Sequence, residues 1–351
     1  PRFDVVIMGQ VYAHVELQVG GEHNISNALA AASSLVLNKG AVLHTDGNDI
    51  CVQNLTANAG SLIRNEGTSS GNLLLRVTEG TSTTIADGVL VDSADTSALH
   101  LVKTGKGTLT MATNSSWTGG MTISEGTVIA TLSGDGYLNA KGGIGSASSV
   151  INLEKEGTLQ LVIGKTNGSD RGKLGSTLLP QTVLGSGTVV LSSGGEALLF
   201  SNQQPTFNGT VQLKDNTRLY IGDIHGDINY NSVNNLKAFA GSTVVVESGS
   251  QAKVTNTHRW GKQAAISTTA NFTISGNGYA GLTNWNILAS RLTSGALAID
   301  NNSTVYGNIT LADDAMISSS SAGTLKYFSP LSGLIPGDCG NSKSRFSCQE
   351  C

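Results

Sequence analysis

Leu101-Val-Lys-Thr-Gly-Lys-Gly-Thr-Leu-Thr-Met111, then Ala112 to Ser116, then Trp117-Thr-Gly-Gly-Met-Thr-Ile-Ser-Glu-Gly-Thr-Val-Ile129 is the stretch on which the fold reading turns. Thr108, Leu109, Thr110 and Met111 alternate polar and apolar, with Gly105 and Gly107 bending the chain ahead of them. Trp117 precedes a Gly119-Gly120 turn. Met121, Ile123, Val128 and Ile129 fill the next strands, with Glu125-Gly126 as the corner between them. β-branched alternation bounded by glycine marks half-buried strands, and no part of the stretch has helical spacing.

The segment resembles the autotransporter-associated β-strand repeat of secreted bacterial passenger domains. Leu101, Lys103, Gly105, Gly107-Thr108-Leu109, Trp117, Gly119-Gly120, Ile123 and Gly126-Thr127-Val128 carry the resemblance in order and spacing. Met121 replaces the usual small or hydroxyl residue, and Trp117 the usual Tyr or Phe. The resemblance implies a right-handed parallel β-helix on a secreted or surface-displayed chain. It covers residues 101–129 of a 351-residue chain.

Composition agrees with a stacked β fold. The chain is long enough for a large core. Only 5% of it is aromatic and 13% charged, against roughly 25% charged in average globular proteins. Gly numbers 44 and Pro 5, while 39% is hydrophobic and sits in strand-sized clusters. A disordered chain lacks such clusters, so a repetitive all-β fold is expected. The net charge is −4 and no Lys/Arg cluster occurs, which leaves nucleic acid without an electrostatic footprint. No apolar run reaches the roughly 18–20 residues of a membrane-spanning helix. Ala28–Leu37 is similar to a signal-peptide core, but it is internal and follows His23-Asn24, so a short capping helix and a strand are expected there. The chain starts at Pro1 and shows no C-terminal membrane barrel of the kind the resembled family has; it is expected to be a processed passenger or no autotransporter at all.

A sparse corner pattern recurs. Its copies are Leu37-Gly40-Ala41-Leu43, Ile123-Gly126-Thr127-Ile129, Leu153-Glu156-Gly157-Leu159, Leu213-Asn216-Thr217-Leu219, Val246-Gly249-Ser250-Ala252 and Leu311-Asp314-Ala315-Ile317. Their spacings fall near multiples of about 30 residues, the size of a solenoid repeat. A single coil cannot bury its apolar face, whereas stacked coils bury a continuous core. Coils of about 20–30 residues would number about 12–15 and make a rod on the order of 60–70 Å long. Leu37, Leu109, Ile123, Leu153, Leu213, Val246 and Leu311 are expected to point inward. Expected organisation is an N-terminal cap at 1–34, a parallel β-helix (β-solenoid) at 35–328 and an irregular Cys-containing tail at 329–351. Pro330, Gly333, Pro336 and Gly337 break that tail, which is not expected to add a coil. A β-sandwich is the alternative, and it calls for regularly spaced Asn-Gly or Asp-Gly hairpins, of which few occur.

Motifs with chemical potential resolve mostly into corners. Gly222-Asp223-Ile224-His225-Gly226-Asp227 looks like the first metal motif of calcineurin-like phosphatases, but the downstream segments that complete a two-metal site are absent. Gly276-Asn-Gly278-Tyr-Ala-Gly281 matches a dinucleotide fingerprint without the strand–helix context it needs. The Asp46/Asp49 and Asp313/Asp314 pairs show no basic or carboxylate partner at coil spacing. No catalytic, cofactor-binding or metal-ligating set is therefore assigned, and no cofactor is expected. Cys339, Cys348, Cys351 and Cys51 are disulfide candidates, since a zinc knuckle in the tail lacks a fourth ligand. Gly105, Gly107, Trp117, Gly119, Gly120 and Gly126 are assigned structural roles in the repeat.

The expected function is a non-enzymatic, secreted or cell-surface β-solenoid with a structural or adhesive role. Its partners would be glycans or a host surface, or other copies of itself in fibres. A self-assembling filament subunit is the first alternative and a polysaccharide lyase or hydrolase the second.

Overall fold

The computed structural model describes residues 2–7, 10–16, 34–86, 89–91, 98–111, 117–134, 140–142, 144–145, 149–163, 176–178, 181–192, 196–198, 207–223, 240–256, 266–279, 294–299, 303–319, 324–325 and 346–350. Among these the chain is all β, with no helix, and apart from one antiparallel pair the described strands pair in parallel. It is a parallel β-solenoid, as the sequence led us to expect. The chain divides into two compact units, Pro1–Thr131 with Lys141–Gln160, and Leu132–Ala140 with Leu161–Cys351.

The first unit opens with the exception. Arg2–Ile7 and Gln10–Glu16 pair antiparallel within the segment expected to be an N-terminal cap. The Ala-rich segment that follows lies outside the described residues up to residue 33. From Leu35 the chain winds through three ladders. The first stacks Leu35–Leu37, Leu55–Ala57, Ser82–Ile85, Thr108–Met111 and the second half of Met121–Gly134. The second pairs Val42–His44 with Leu62–Arg64, and Ile63 bridges to Leu90. The third stacks Ile50–Gln53, Gly71–Arg76, Leu99–Thr104 and the start of Met121–Gly134. Met121–Gly134 thus serves two ladders, turning the Glu125-Gly126 corner between them.

The second unit repeats the scheme. One ladder stacks Thr188–Ser192, Thr210–Leu213, Thr243–Val246, Asn271–Gly276 and the start of Ile309–Ser319. Another stacks Ser176–Leu178, Glu196–Leu198, Arg218–Asp223, Gln251–Asn256, Leu297–Ile299, the end of Ile309–Ser319 and Phe346–Glu350. A short third ladder joins Ile266–Thr268, Ser303–Val305 and Thr324–Leu325.

Side-chain alternation follows the pleat. Leu99–Thr104 buries Leu99, Leu101 and Lys103 and turns His100, Val102 and Thr104 outward. Leu37, Leu109, Ile123, Leu153, Leu213, Val246 and Leu311 are all buried. Two corners share a plainer logic. Leu153 and Gly157 point in around three exposed residues, and Leu311 and Ala315 do the same around Ala312, Asp313 and Asp314. A small residue at the inner side of the corner leaves room for the coil to close.

Several expectations need correction. Leu37-Gly40-Ala41-Leu43 joins the first ladder to the second, whereas the Ile123 copy joins the third to the first. They are different corners, so their spacing is not a whole number of coils. Ile129 is half-exposed and Val128 takes the inward place, because Gly126-Thr127 uses one residue fewer to turn. Coil length is not fixed near 30. Partners on successive coils lie 20 to 24 residues apart at Asn38/Asn58, Asp49/Asn72 and Asn54/Thr78 in the first unit. They lie 33 to 37 apart at Thr217/Ser250, Gln212/Glu247 and Asn271/Asn308 in the second. A corner absorbs extra residues without disturbing the ladders. Finally, the tail does add a strand. Phe346–Glu350 pairs in parallel with Ala315–Ser319, setting Cys348 opposite Ile317. Ladder pairing needs backbone groups only, so loss of apolar alternation does not forbid it.

Stability should follow this division into inward and outward positions. Leu213→Ala, in a fully buried site, should cost about 2–5 kcal/mol. Thr210→Ala, three residues away and facing outward, should stay within about 0.5 kcal/mol. Denaturant midpoints compare the two, and equal losses would contradict the inward assignment.

Candidate functional site

The 101–129 stretch builds one corner around a buried cation. Alternation in Leu99–Thr104 places Lys103 inward, where an apolar residue would be expected, and it is 0% exposed. Its Nζ donates to Thr104 O at 3.0 Å, to Gly105 O at 2.5 Å and to Glu125 O on the next coil at 2.9 Å. A lysine ammonium has three donors and no acceptor, so all its capacity is used. The three carbonyls sit at a corner, where the chain turns. Burial lowers the Lys103 pKa to about 8, with the Glu125 charge acting in the opposite direction. The group is therefore still mainly charged at neutral pH.

Glycine makes the close approach possible. Gly126 has φ +73, and a Cβ there would lie 2.4 Å from Gly105 O and 2.8 Å from Lys103 Nζ. Both the left-handed backbone and the space exclude a side chain. Gly105 also has positive φ, at +73. Gly107 and Gly119 need no unusual φ, but a Cβ on them would meet Thr78 O at 2.2 Å and Leu99 O at 2.1 Å. Gly120 presses against Val150 O in the same way. Trp117 is fully buried and its Nε1–H donates to Gly120 O at 3.2 Å. In the sequence Lys103 stands only as a position of the repeat pattern, with no structural role assigned to it. A basic residue on the inward phase of an alternating strand was the signal for it.

A second cluster lies on the first coils of the same unit. His44 ends Val42–His44, and Glu66 follows Leu62–Arg64 directly below it in the stack. His44 Nδ1 stands 3.0 Å from Glu66 Oε2 and 3.9 Å from Asp46 Oδ1. Arg64 Nη2 is 2.6 Å from the other Glu66 oxygen. Asp46 has positive φ, at 50, which Asp tolerates in a turn. So Asp46 does have a carboxylate partner across one coil, and Asp49 Oδ1 accepts from Asn72 Nδ2 at 2.6 Å and Asn72 N at 3.2 Å. Neither pairing shows at a spacing near 30 residues, because these coils are shorter, with offsets of 20 at His44/Arg64 and 23 at Asp49/Asn72.

Other singled-out residues scatter. Asp223 closes Arg218–Asp223, its backbone opposite Asn256, while His225 lies outside the described residues. Gly276 and Gly278 have positive φ at 76 and 87, and Gly278 bridges to Gly295, so they turn a coil corner; Gly281 lies outside the described residues. Asp313 Oδ1 accepts the Asp314 N–H at 2.8 Å on an exposed corner. Cys51 is an exposed free thiol opposite Leu74. Cys348 sits on the last strand, and Cys339 and Cys351 lie outside the described residues.

Two variants probe the corner. Gly126→Val should lose roughly 1–3 kcal/mol or more from the forced backbone alone, and Asp223→Ala clearly less, by denaturant melts. Lys103→Met isolates the ammonium's pH signature. The folded pKa lies below the ordinary value of 10.5, so between about pH 8 and 10.5 the unfolded chain binds more protons and stability rises with pH. Below pH 8 both states are protonated and the contribution is flat. Wild type should therefore gain on Lys103→Met as pH climbs through that window; a parallel pair of stability curves would contradict it.

Among the described residues no helix is long and apolar enough to cross a membrane, which leaves barrel-forming strands unaddressed. No curated protein matches the chain, and no solved structure does. A family model does match over residues 101–130, the segment that holds Lys103, Trp117 and the glycine corner. That model describes the passenger-associated-transport-repeat, a repeat of autotransporter passenger domains, and the segment is similar to it.

Proposed function

We propose that the chain works as a secreted or surface-displayed passenger with a structural or adhesive role and no catalysis of its own. The observation that carries this is the passenger repeat at 101–130. The outward faces support it. Ser82, Thr108 and Thr127 stack in register in the first unit. Thr188, Thr210, Thr243 and Asn271 stack in the second. Hydroxyl and amide groups repeating about every 4.8 Å suit weak, multivalent hydrogen bonding to glycans on a host surface. A filament subunit is the second reading. It is favoured by Phe346–Glu350, which among the described residues pairs on one edge only, the kind of strand to which another chain can add.

Glycan-panel binding and sedimentation of the purified chain test the proposal together. Adhesion predicts saturable glycan or cell-surface binding by a non-elongating species. A Thr210→Ala/Thr243→Ala double variant should weaken it several-fold with unchanged melting. Time-dependent growth of sedimenting fibres without glycan binding selects the filament reading. Release of unsaturated or reducing ends from pectin-like polymers would overturn the non-enzymatic role.

A further inference from the structure

We propose that His44, Asp46 and Glu66 form a zinc site that staples two successive coils of the first unit. This departs from the expectation of no metal ligands. His44 Nδ1, a carboxylate oxygen of Asp46 and one of Glu66 all lie within 4.8 Å of one another. The two separations from His44 Nδ1, 3.0 Å to Glu66 and 3.9 Å to Asp46, bracket the edge of a zinc tetrahedron. Bonds of about 2.0–2.1 Å put adjacent ligands about 3.3 Å apart. Small rotamer adjustments at half-exposed side chains bring three ligands onto one ion, and water completes the fourth position.

The surroundings orient the ligands. Arg64 Nη2 holds Glu66 Oε1 at 2.6 Å, which presents Oε2 toward His44. Second-sphere partners of this kind fix a ligating carboxylate. Asn65 Oδ1 accepts from Gly47 N at 2.6 Å and Gly67 N at 3.2 Å, tying the corner that carries Asp46 to the one that carries Glu66. Asn65 is itself fully buried, and its Nδ2 donates to Ser69 O. The cluster therefore does not depend on two free loops meeting. Its donor set, one imidazole and two carboxylates, suits zinc. Calcium and magnesium prefer six or more oxygen ligands and gain little from imidazole.

The two carboxylates and Arg64 leave the cluster at −1 with neutral His44, so a divalent cation is attracted. His44 and Asp46 belong to one coil and Glu66 to the next, so bound zinc cross-links the stack. Zinc would then stabilise the folded chain in proportion to its occupancy.

The test uses the full chain with its cysteines alkylated, because the tail thiols would otherwise compete for metal. Zinc chloride is titrated calorimetrically, and cobalt(II) replaces it for visible spectroscopy. Wild type should bind one zinc with a raised melting temperature and give a tetrahedral cobalt band without sulfur charge transfer. His44→Ala and Glu66→Gln should each weaken binding at least tenfold and remove the band. Asp46→Asn, which keeps a residue tolerant of positive φ, serves if His44→Ala fails to fold. Zinc binding as tight in these variants as in wild type, no zinc binding at all, or calcium competing equally would each overturn the proposal.

Discussion

Every coil depends on the coil beside it for its backbone hydrogen bonds. A single turn of three short parallel strands has no internal ladder, so each N–H and C=O must find its partner one coil away or go unmet. That requirement fixes the stacking distance at about 4.8 Å for corners as well as for strands. At a strand the spacing is comfortable. At a corner it brings carbonyls and Cα atoms of successive coils almost into contact. The glycines at 107, 119, 126 and 157 are consequences of this: a Cβ on any of them would fall within 2.1 to 2.4 Å of a backbone oxygen in a neighbouring coil.

Lys103 answers the complementary problem. Where the chain turns, carbonyls rotate out of the ladder direction and lose their partners. An apolar residue at 103 would bury well but would take the ammonium away from the oxygens of Gly105 and Glu125, while Thr104 O would keep only the N–H of Val77. Each unmet group costs about 1–3 kcal/mol. An ammonium supplies three donors from one atom. Its own desolvation opposes this, which is why its pKa falls, yet it stays charged at neutral pH. Gly126 and Lys103 are therefore one device, since any side chain at 126 would occupy the volume of the Lys103 Nζ.

What the sequence made legible was what the stacking rule writes locally. Alternation found Leu109, Leu153 and Leu213, and the glycine spacing found the 101–129 corner. What spanned coils was hidden by their unequal lengths. The spacing of 33 from Leu213 to Val246 is one coil, since the two pair directly. Leu311 is two coils beyond Val246, with Ile274 between them. The Ile274 corner is hidden in the sequence because a long insertion separates Gly276 from Leu297–Ile299, the next described strand along the chain, which belongs to the other ladder. Glu66 was missed as the partner of His44 for the same reason. Lys103 was visible as a residue but not as a role, because alternation alone reports which way a side chain points and not what carbonyls wait there.

The scarcity of charge follows from the same geometry. In a parallel in-register stack, an outward residue meets its counterparts on the coils above and below at about 4.8 Å. Like charges at that distance repel by about 1 kcal/mol per pair even in water, and the penalty recurs at every coil. Threonine and asparagine avoid it, retain β propensity or hydrogen bonding, and can follow one another indefinitely, as Thr188, Thr210, Thr243 and Asn271 do. Corners differ in length from coil to coil, so their residues are not held in register. Charges can collect there singly or with an opposite partner. Glu154-Lys155-Glu156, Asp313-Asp314 and Glu66 sit at such positions, and Glu66 meets His44 and Arg64 at the strand ends beside its corner. Among the described residues the outward faces of the strands are therefore mainly neutral hydrogen-bonding groups, with charges such as Arg76 and His44 at strand ends and Glu66, Asp313 and Asp314 at corners.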